Sequence, residues 1–143
     1  MEISACVKYV GVNDHQVDLF EGQYKVPNGM SYNSYVILDD KIAIMDTVDG
    51  FFTEEWLNNV EQVLDGKMPD YLVIQHMEPD HSASIPAFLK KYPKATVVST
   101  AKGFQFMEQF FPEFFAEQGL PAEQRIVAAN DGVLELGQHS LHF

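Results

Sequence analysis

Four side chains able to bind metal lie close together where residues 75–81 read QHMEPDH. The cluster consists of two imidazoles and two carboxylates, contributed by His76, Glu78, Asp80 and His81. Such a pattern arises by chance in a chain of this length with odds on the order of one in several thousand. Mixed nitrogen and carboxylate donors suit zinc, iron or manganese. The spacing therefore favours a metal-binding loop over an ordinary solvated loop.

The residues just before this loop predict how it is held. Residues 71–74 (YLVI) form a short apolar run after a turn, which is typical of a buried strand. Ligand sites in open α/β sheets commonly lie at strand ends. Extended backbone would direct His76, Glu78 and Asp80 to one side, because side chains alternate along a strand. Pro79 restricts its own φ and favours extended backbone at Glu78.

Apolar patterning predicts alternating strands and helices over the rest of the chain. We expect strands at residues 3–12, 32–38, 41–47, 96–99, 125–129, 133–136 and 140–143, with a turn at 13–15 and hairpins over 32–47 and 125–136. We expect helices from Thr53 to Gly66, from Ser84 onward, and from Ala101 to about Phe111, with Thr53 and Ser84 as N-caps. The apolar face of the first helix would comprise Trp56, Leu57, Val60, Val63 and Leu64.

Several other residues invite functional interpretations that the sequence does not favour. Six phenylalanines, at positions 104, 106, 110, 111, 114 and 115, could line a substrate channel, but packing against the sheet explains them more simply. We interpret Cys6 as a small, buried or half-buried strand residue with no activating neighbour. We interpret His15 as a surface loop residue, and His139 and His142 as strand or edge residues.

Composition limits the classes of function. The 143 residues amount to about one domain, and 46% hydrophobic content is sufficient for an ordinary core. The 9 basic against 21 acidic residues give a formal charge of −12, which disfavours nucleic acid and anionic membranes as partners. A single cysteine excludes an internal disulfide or a four-thiolate iron–sulfur cluster, and indicates a reducing, cytoplasmic compartment. No signal peptide or membrane-spanning run is evident.

The metal-binding loop predicted at residues 75–81, called the donor loop below, and three earlier segments resemble a known family. Residues 76–84 (HMEPDHSAS), together with residues 10–14 (VGVND), 32–35 (YNSY) and 45–49 (MDTVD), are similar in sequence and order to flavodiiron proteins, a branch of the metallo-β-lactamase superfamily. The resemblance covers essentially the whole chain. It implies the α/β class and the first part of an αββα sandwich, so that residues 1–143 would be a truncated diiron domain.

The resemblance also implies a set of ligands and cofactors. His76 and Glu78 would hold one non-haem iron, and Asp80 and His81 a second, although in some relatives water replaces the histidine matching His81. Hydrolytic branches have histidine where this chain has Glu78, and the carboxylate favours iron or manganese over zinc. Asp46 would lie behind the ligands as a supporting carboxylate. Glu21 occupies a position where many flavodiiron proteins have a histidine near the metals.

The activity implied by the resemblance is reduction of dioxygen to water or of nitric oxide to nitrous oxide. Electrons would come through flavin mononucleotide (FMN) in a flavodoxin-like domain of the parent protein, supplied by a donor such as rubredoxin or a reduced flavin or coenzyme. A head-to-tail homodimer or tetramer is expected. The alternatives are metal-dependent hydrolysis, which Glu78 disfavours, and a diiron oxygen sensor without turnover.

Overall fold

The strands and helices are those of a computed structural model that describes residues 3–17, 19–20 and 24–143. The strands are Val7–Tyr9 (β1), Val12–Asp14 (β2), Leu19–Phe20 (β3), Tyr24–Lys25 (β4), Met30–Tyr32 (β5), Tyr35–Ile37 (β6), Ala43–Met45 (β7), Tyr71–Val73 (β8), Thr96–Ser99 (β9), Arg125–Val127 (β10), Val133–Glu135 (β11) and Ser140–His142 (β12). The α-helices are Thr53–Leu64 (α1), Pro79–Ser82 (α2), Ile85–Lys91 (α3), Ala101–Phe110 (α4) and Pro112–Glu117 (α5), with 3-10 turns at Gly50–Phe52 and Ala122–Gln124. No helix in the described part of the chain is long and apolar enough to cross a membrane.

A six-stranded mixed sheet organises the chain, with the order β1-β6-β7-β8-β9-β10. The hairpin predicted over residues 32–47 is confirmed as the antiparallel pair β6 and β7. Strands β7 to β10 run parallel, and Met45 lies opposite Val73, which lies opposite Val98. Because these strands end at one edge of the sheet, the residues that follow them are brought together there.

The core lies between one face of this sheet and helices α1, α3 and α4. Val36, Ile44, Leu72 and Val97 occupy matching positions on neighbouring strands and are fully buried. The helices bury Trp56, Phe88 and Met107 in the same cluster, which also includes Val60 and Leu64, with Leu57 and Val63 packed against it. The predicted apolar face of the first helix is therefore confirmed, as is the α/β class.

The single strand predicted over residues 3–12 is wrong, because the chain turns between β1 and β2. β1 pairs with β6 in the large sheet, whereas β2 pairs with β5 in a separate two-stranded sheet. Gly11 permits this change of partner: a Cβ atom there would lie 2.3 Å from the carbonyl oxygen of Tyr32. Asn13 and Asp14, predicted to turn, belong to β2, and the chain bends at His15, an exposed loop residue as predicted.

The predicted cap Thr53 is wrong, whereas Ser84 occupies the N-cap position of α3 as predicted. The chain enters α1 through a 3-10 turn capped by the Asp49 side chain, so Thr53 is already helical and its hydroxyl donates to the carbonyl oxygen of Gly50. The Ser84 hydroxyl makes no capping bond and donates instead to the carbonyl oxygen of Val48. The two hydroxyls also lie 2.7 Å apart, so they bring together segments that are 31 residues apart in the sequence.

The predicted hairpin over residues 125–136 is also wrong. β10 pairs in parallel with β9, and β11 pairs with β12 instead. The apolar run at residues 125–127 completes the edge of the large sheet, and a local sequence pattern cannot choose between a neighbouring partner and a distant one. Glu21 lies outside the described residues.

Leu72 provides a test of the core, because it is fully buried in the central strand β8. We expect Leu72→Ala to lower the free energy of unfolding by about 2–5 kcal/mol, since the truncation leaves a cavity. Met68→Ala is the control, because the Met68 residue is 69% exposed, and it should change the value by less than about 0.5 kcal/mol. Urea unfolding followed by circular dichroism measures both variants. Equal effects would show that β8 is not the centre of the core.

Candidate metal centre

The donor loop, residues 75–81, follows β8 at the edge where the parallel strands end. Asp46 follows β7 and donates its backbone N–H to the carbonyl oxygen of Val73 across a 2.8 Å bond. The parallel register of β7 and β8 thus places Asp46 beside Gln75, the first residue of the loop. Two segments 29 residues apart in sequence meet at this point.

Asp46 is the hydrogen-bonding centre of the site. Its side chain is only 4% exposed, and its backbone is left-handed, with φ at 58°. One carboxylate oxygen accepts the backbone N–H of Gln75 at 2.8 Å. The other lies 3.1 Å from the Gln75 side-chain nitrogen and 2.9 Å from Nδ1 of His81. Asp46 therefore joins the start of the donor loop to the side chain of His81.

His81 is oriented by this contact. An ionised carboxylate only accepts hydrogen bonds, so Nδ1 of His81 carries the hydrogen and Nε2 is left to face Asp80, 3.4 Å from its carboxylate. The hydrogen bond to Asp46 raises the pKa of His81 above its ordinary value. Burial opposes this effect, and the negative charges of Asp46, Asp80 and Glu78 add to it. A neutral imidazole in this tautomer presents a lone pair at Nε2, as a metal ligand must.

Asp80 supplies the observation that favours a cation. Its Oδ1 atom is buried and has no hydrogen-bond partner. A buried carboxylate oxygen left unpaired is costly, and a metal ion is one group that can satisfy it. The His76 and His81 rings also lie close together, with centroids 3.9 Å apart. These features fit a metal ion, although the described residues contain no group of three or more donors already arranged to hold one.

Glu78 and His76 are exposed and are not among the residues that bond to the Asp46 carboxylate, which are Gln75 and His81. Glu78 is extended, with ψ at 146°, as predicted from Pro79. The expected alternation of His76, Glu78 and Asp80 along one strand is wrong, because Pro79–Ser82 forms a short helix and Asp80 belongs to it. The helical turn brings Asp80 next to His81, which an extended chain would have directed to the opposite side.

The backbone of the donor loop is held by a residue that sequence analysis missed. Thr47 donates both its backbone N–H and its hydroxyl to the carbonyl oxygen of His81, each across 2.9 Å. The Thr47 hydroxyl in turn accepts the backbone N–H of Ser84 at 3.3 Å. The only sequence signal for this role is that Thr47 directly follows Asp46.

A second group that sequence analysis missed holds the backbone carbonyl of Asp46. The Trp56 indole donates to the Ser34 hydroxyl at 2.9 Å, and that hydroxyl donates to the carbonyl oxygen of Asp46, also at 2.9 Å. Trp56 and Ser34 are fully buried. Because these bonds fix the peptide group that follows Asp46, they stabilise the left-handed backbone that directs its carboxylate towards His81.

A cavity of about 600 Å³ adjoins the donor loop. Its wall includes His76 and Glu78 of the donor loop, together with Phe106, Phe110 and Phe111. The prediction that the six phenylalanines serve packing holds for the buried Phe104 and Phe114 and for Phe106, Phe111 and Phe115, which pack against the core. Phe110 is 54% exposed, and it lines the cavity together with Phe106 and Phe111.

Comparisons with known proteins agree with this geometry. The profile of a family described as "ODP family beta lactamase" matches residues 30–143. "Diflavin flavoprotein A 1" of Synechocystis is 34% identical over 131 residues, which are 91% of this chain and 22% of that protein. "Nitric oxide reductase" of Moorella thermoacetica is 35% identical over 106 residues, 73% of this chain and 27% of that protein.

Solved structures show the same similarity. Rubredoxin oxygen:oxidoreductase from Desulfovibrio gigas has a TM-score of 0.86 and 29% identity, and the match covers 98% of this chain and 33% of that one. The flavodiiron protein from Giardia intestinalis has a TM-score of 0.82 and 29% identity, and the match covers 99% and 32%.

The fold and the donor loop thus define a metallo-β-lactamase-like domain. The chain belongs to the ODP beta-lactamase family, and its predicted resemblance to flavodiiron proteins is confirmed. It spans about a quarter of the length of these two curated relatives and about a third of the two solved chains.

Ser34 provides a test of the support beneath the site. We expect Ser34→Ala to lower the free energy of unfolding by about 1–3 kcal/mol, because the Trp56 N–H and the Asp46 carbonyl lose their buried partner. Ser31→Ala is the matched control, since the Ser31 hydroxyl bonds to Asn13 at the surface. Urea unfolding followed by fluorescence of Trp56, the one tryptophan in the sequence, measures both variants. No difference between them would show that this support is dispensable.

Proposed function

We propose that this chain forms part of the metal-binding domain of a flavodiiron oxidoreductase that reduces dioxygen to water, nitric oxide to nitrous oxide, or both. The observation that carries the proposal is the buried Asp80 oxygen without a partner, next to an imidazole whose tautomer Asp46 sets. The names of the similar proteins support reduction over hydrolysis, since they include a nitric oxide reductase and an oxygen:oxidoreductase.

The proposed metal ligands are His76, Glu78, Asp80 and His81. His76 and Glu78 would hold one iron, and Asp80 and His81 the other. Paired iron, when bound, supplies the electrons that reduce a diatomic substrate. Further donors would come from parts of the parent protein outside this sequence, because four side chains do not complete the coordination of two ions.

The residues of this chain prepare the site in distinct ways. Asp46 keeps a hydrogen on Nδ1 of His81, so that the lone pair of Nε2 is available to bind a metal ion. Thr47 holds the backbone of His81 in place. Phe106, Phe110 and Phe111 give the cavity an apolar wall that limits water and admits small uncharged molecules such as dioxygen and nitric oxide.

We propose that the electrons reach the site from FMN in the parent protein and from a donor such as rubredoxin or a reduced flavin or coenzyme. The similarity to a rubredoxin oxygen:oxidoreductase supports a donor of this kind. A head-to-tail homodimer or tetramer in the cytoplasm is part of the same proposal. The single cysteine is consistent with a reducing compartment.

The role of Glu78 is tested by its removal from the full-length enzyme. We expect Glu78→Ala to abolish most consumption of dioxygen and nitric oxide, because the site loses an anionic donor that favours iron. Gas consumption by the reduced enzyme and metal content per chain are the measurements. Glu55→Ala, which alters an exposed acid on α1, should leave both unchanged. Undiminished turnover in Glu78→Ala, or zinc without iron in anaerobically prepared parent enzyme, would contradict the proposal.

The role of Asp46 is tested by replacing one oxygen of its carboxylate with the NH2 group of asparagine. In Asp46→Asn the amide group must face the backbone N–H of Gln75 or Nδ1–H of His81, so one hydrogen bond is replaced by two opposed donors. We expect iron affinity of the full-length protein to fall about 10–100-fold. Asp65→Asn is a close control, because Asp65 is exposed and also has left-handed backbone, with φ at 48°. Equal affinity in both variants would refute the supporting role.

A further inference from the structure

The prediction that Cys6 has no activating neighbour is wrong. Its sulfur lies 3.3 Å from Nε2 of His139, a residue 133 positions later in the sequence. Nδ1 of the same imidazole lies 2.8 Å from a carboxylate oxygen of Asp39. A thiol, an imidazole and a carboxylate in hydrogen-bonded series form the arrangement that activates a nucleophile. We call these three residues the thiol cluster.

Asp39 determines which nitrogen of His139 faces the sulfur. Its carboxylate accepts the backbone N–H groups of Gln138, His139 and Asp40, at 3.0, 2.7 and 2.7 Å. The hydrogen bond from Gln138 lowers the pKa of Asp39 most; burial opposes this, and the bonds from His139 and Asp40 add to it. An ionised Asp39 accepts the hydrogen on Nδ1 of His139. Nε2 therefore presents a lone pair to the thiol.

The thiol cluster is held in a fixed arrangement and remains open to solvent. The Asp39 side chain is 3% exposed, and Gly137 lets the chain wrap closely around it, since a Cβ atom at Gly137 would lie 2.6 Å from its carboxylate. The His139 side chain is 46% exposed, and Cys6 is half-buried. A small reagent can therefore reach the sulfur. The Ser4 hydroxyl, 3.4 Å from that sulfur, is placed to donate a hydrogen bond to a thiolate.

We propose that Cys6 is a modification site that forms mixed disulfides with low-molecular-weight disulfides, with His139 as its base and Asp39 as the residue that orients His139. The proposal goes beyond the proposed reductase function and shares no residue with the donor loop. Its failure would leave the metal site unaffected, and the reverse is also true.

The exchange reaction balances within the thiol cluster and its reagent. The thiol proton passes to Nε2 of His139, and the sulfur attacks one sulfur of the disulfide. A new bond between the Cys6 sulfur and the reagent forms as the sulfur–sulfur bond of the reagent breaks. The departing thiolate takes the proton from His139. Cys6 is thereby oxidised to a mixed disulfide, and the other half of the reagent is reduced to a thiol.

The single cysteine makes the test direct. The chain is treated with hydroxyethyl disulfide, which is uncharged, and the mixed disulfide is followed by intact mass over time at neutral pH. We expect the folded chain to react faster than the same chain unfolded in urea, and Cys6→Ser to gain no mass. We expect His139→Gln to react about 3- to 10-fold more slowly, because the thiol loses the imidazole that accepts its proton.

Matched controls distinguish the loss of His139 as a base from a general disturbance of the hairpin formed by β11 and β12. His142→Gln alters a histidine of the same hairpin that bonds to Ser140 and should react at the unmodified rate. Asp39→Asn should also slow the reaction, whereas Asp40→Asn should not. Circular dichroism confirms that each variant is folded. The proposal is overturned if His139→Gln reacts as fast as the unmodified chain, if His142→Gln is slowed equally, or if folding gives no acceleration.

Discussion

The contact between the Asp46 carboxylate and the donor loop is the interaction on which the site depends. One side chain accepts hydrogen bonds from the backbone of Gln75 and from Nδ1 of His81, so it ties the start of the loop to its end. Left-handed backbone at a residue other than glycine costs on the order of 1–3 kcal/mol. The bonds that this conformation allows offset the cost, and the result is a histidine with a single tautomer and a single orientation.

Strand pairing, two buried side chains and Thr47 together hold this contact in place. Parallel pairing of β7 with β8 places Asp46 at the correct edge of the sheet, and the fully buried Trp56 and Ser34 hold the peptide group that follows it. Thr47 then holds the short helix that carries Asp80 and His81. The hydrophobic core therefore also positions the site, because the indole of the core residue Trp56 bonds to Ser34, which in turn bonds to Asp46.

The cavity beside the donor loop is consistent with the small uncharged substrates of the proposed function. His76 and Glu78 of the donor loop line a cavity whose wall also includes phenylalanines of α4 and the residue after it. An apolar wall gives no binding energy to charged or strongly polar substrates. Under the proposed function, the carboxylate of the exposed Glu78 makes the donor set harder and more anionic, which favours iron over zinc.

The sequence by itself determined the donor loop, the strands and helices with strong apolar periodicity, and the α/β class, because these depend on local spacing and side-chain chemistry. Tertiary structure alone decided which strands pair, since β10 joins β9 and β11 joins β12, although local patterning predicted a hairpin between β10 and β11. It also decided that the Asp80 carboxylate faces Nε2 of His81 at 3.4 Å, that Phe106 lines a cavity, and that Cys6 contacts His139. Each of these contacts joins residues through the path of the backbone in three dimensions, and sequence periodicity carries no information about distances of that kind.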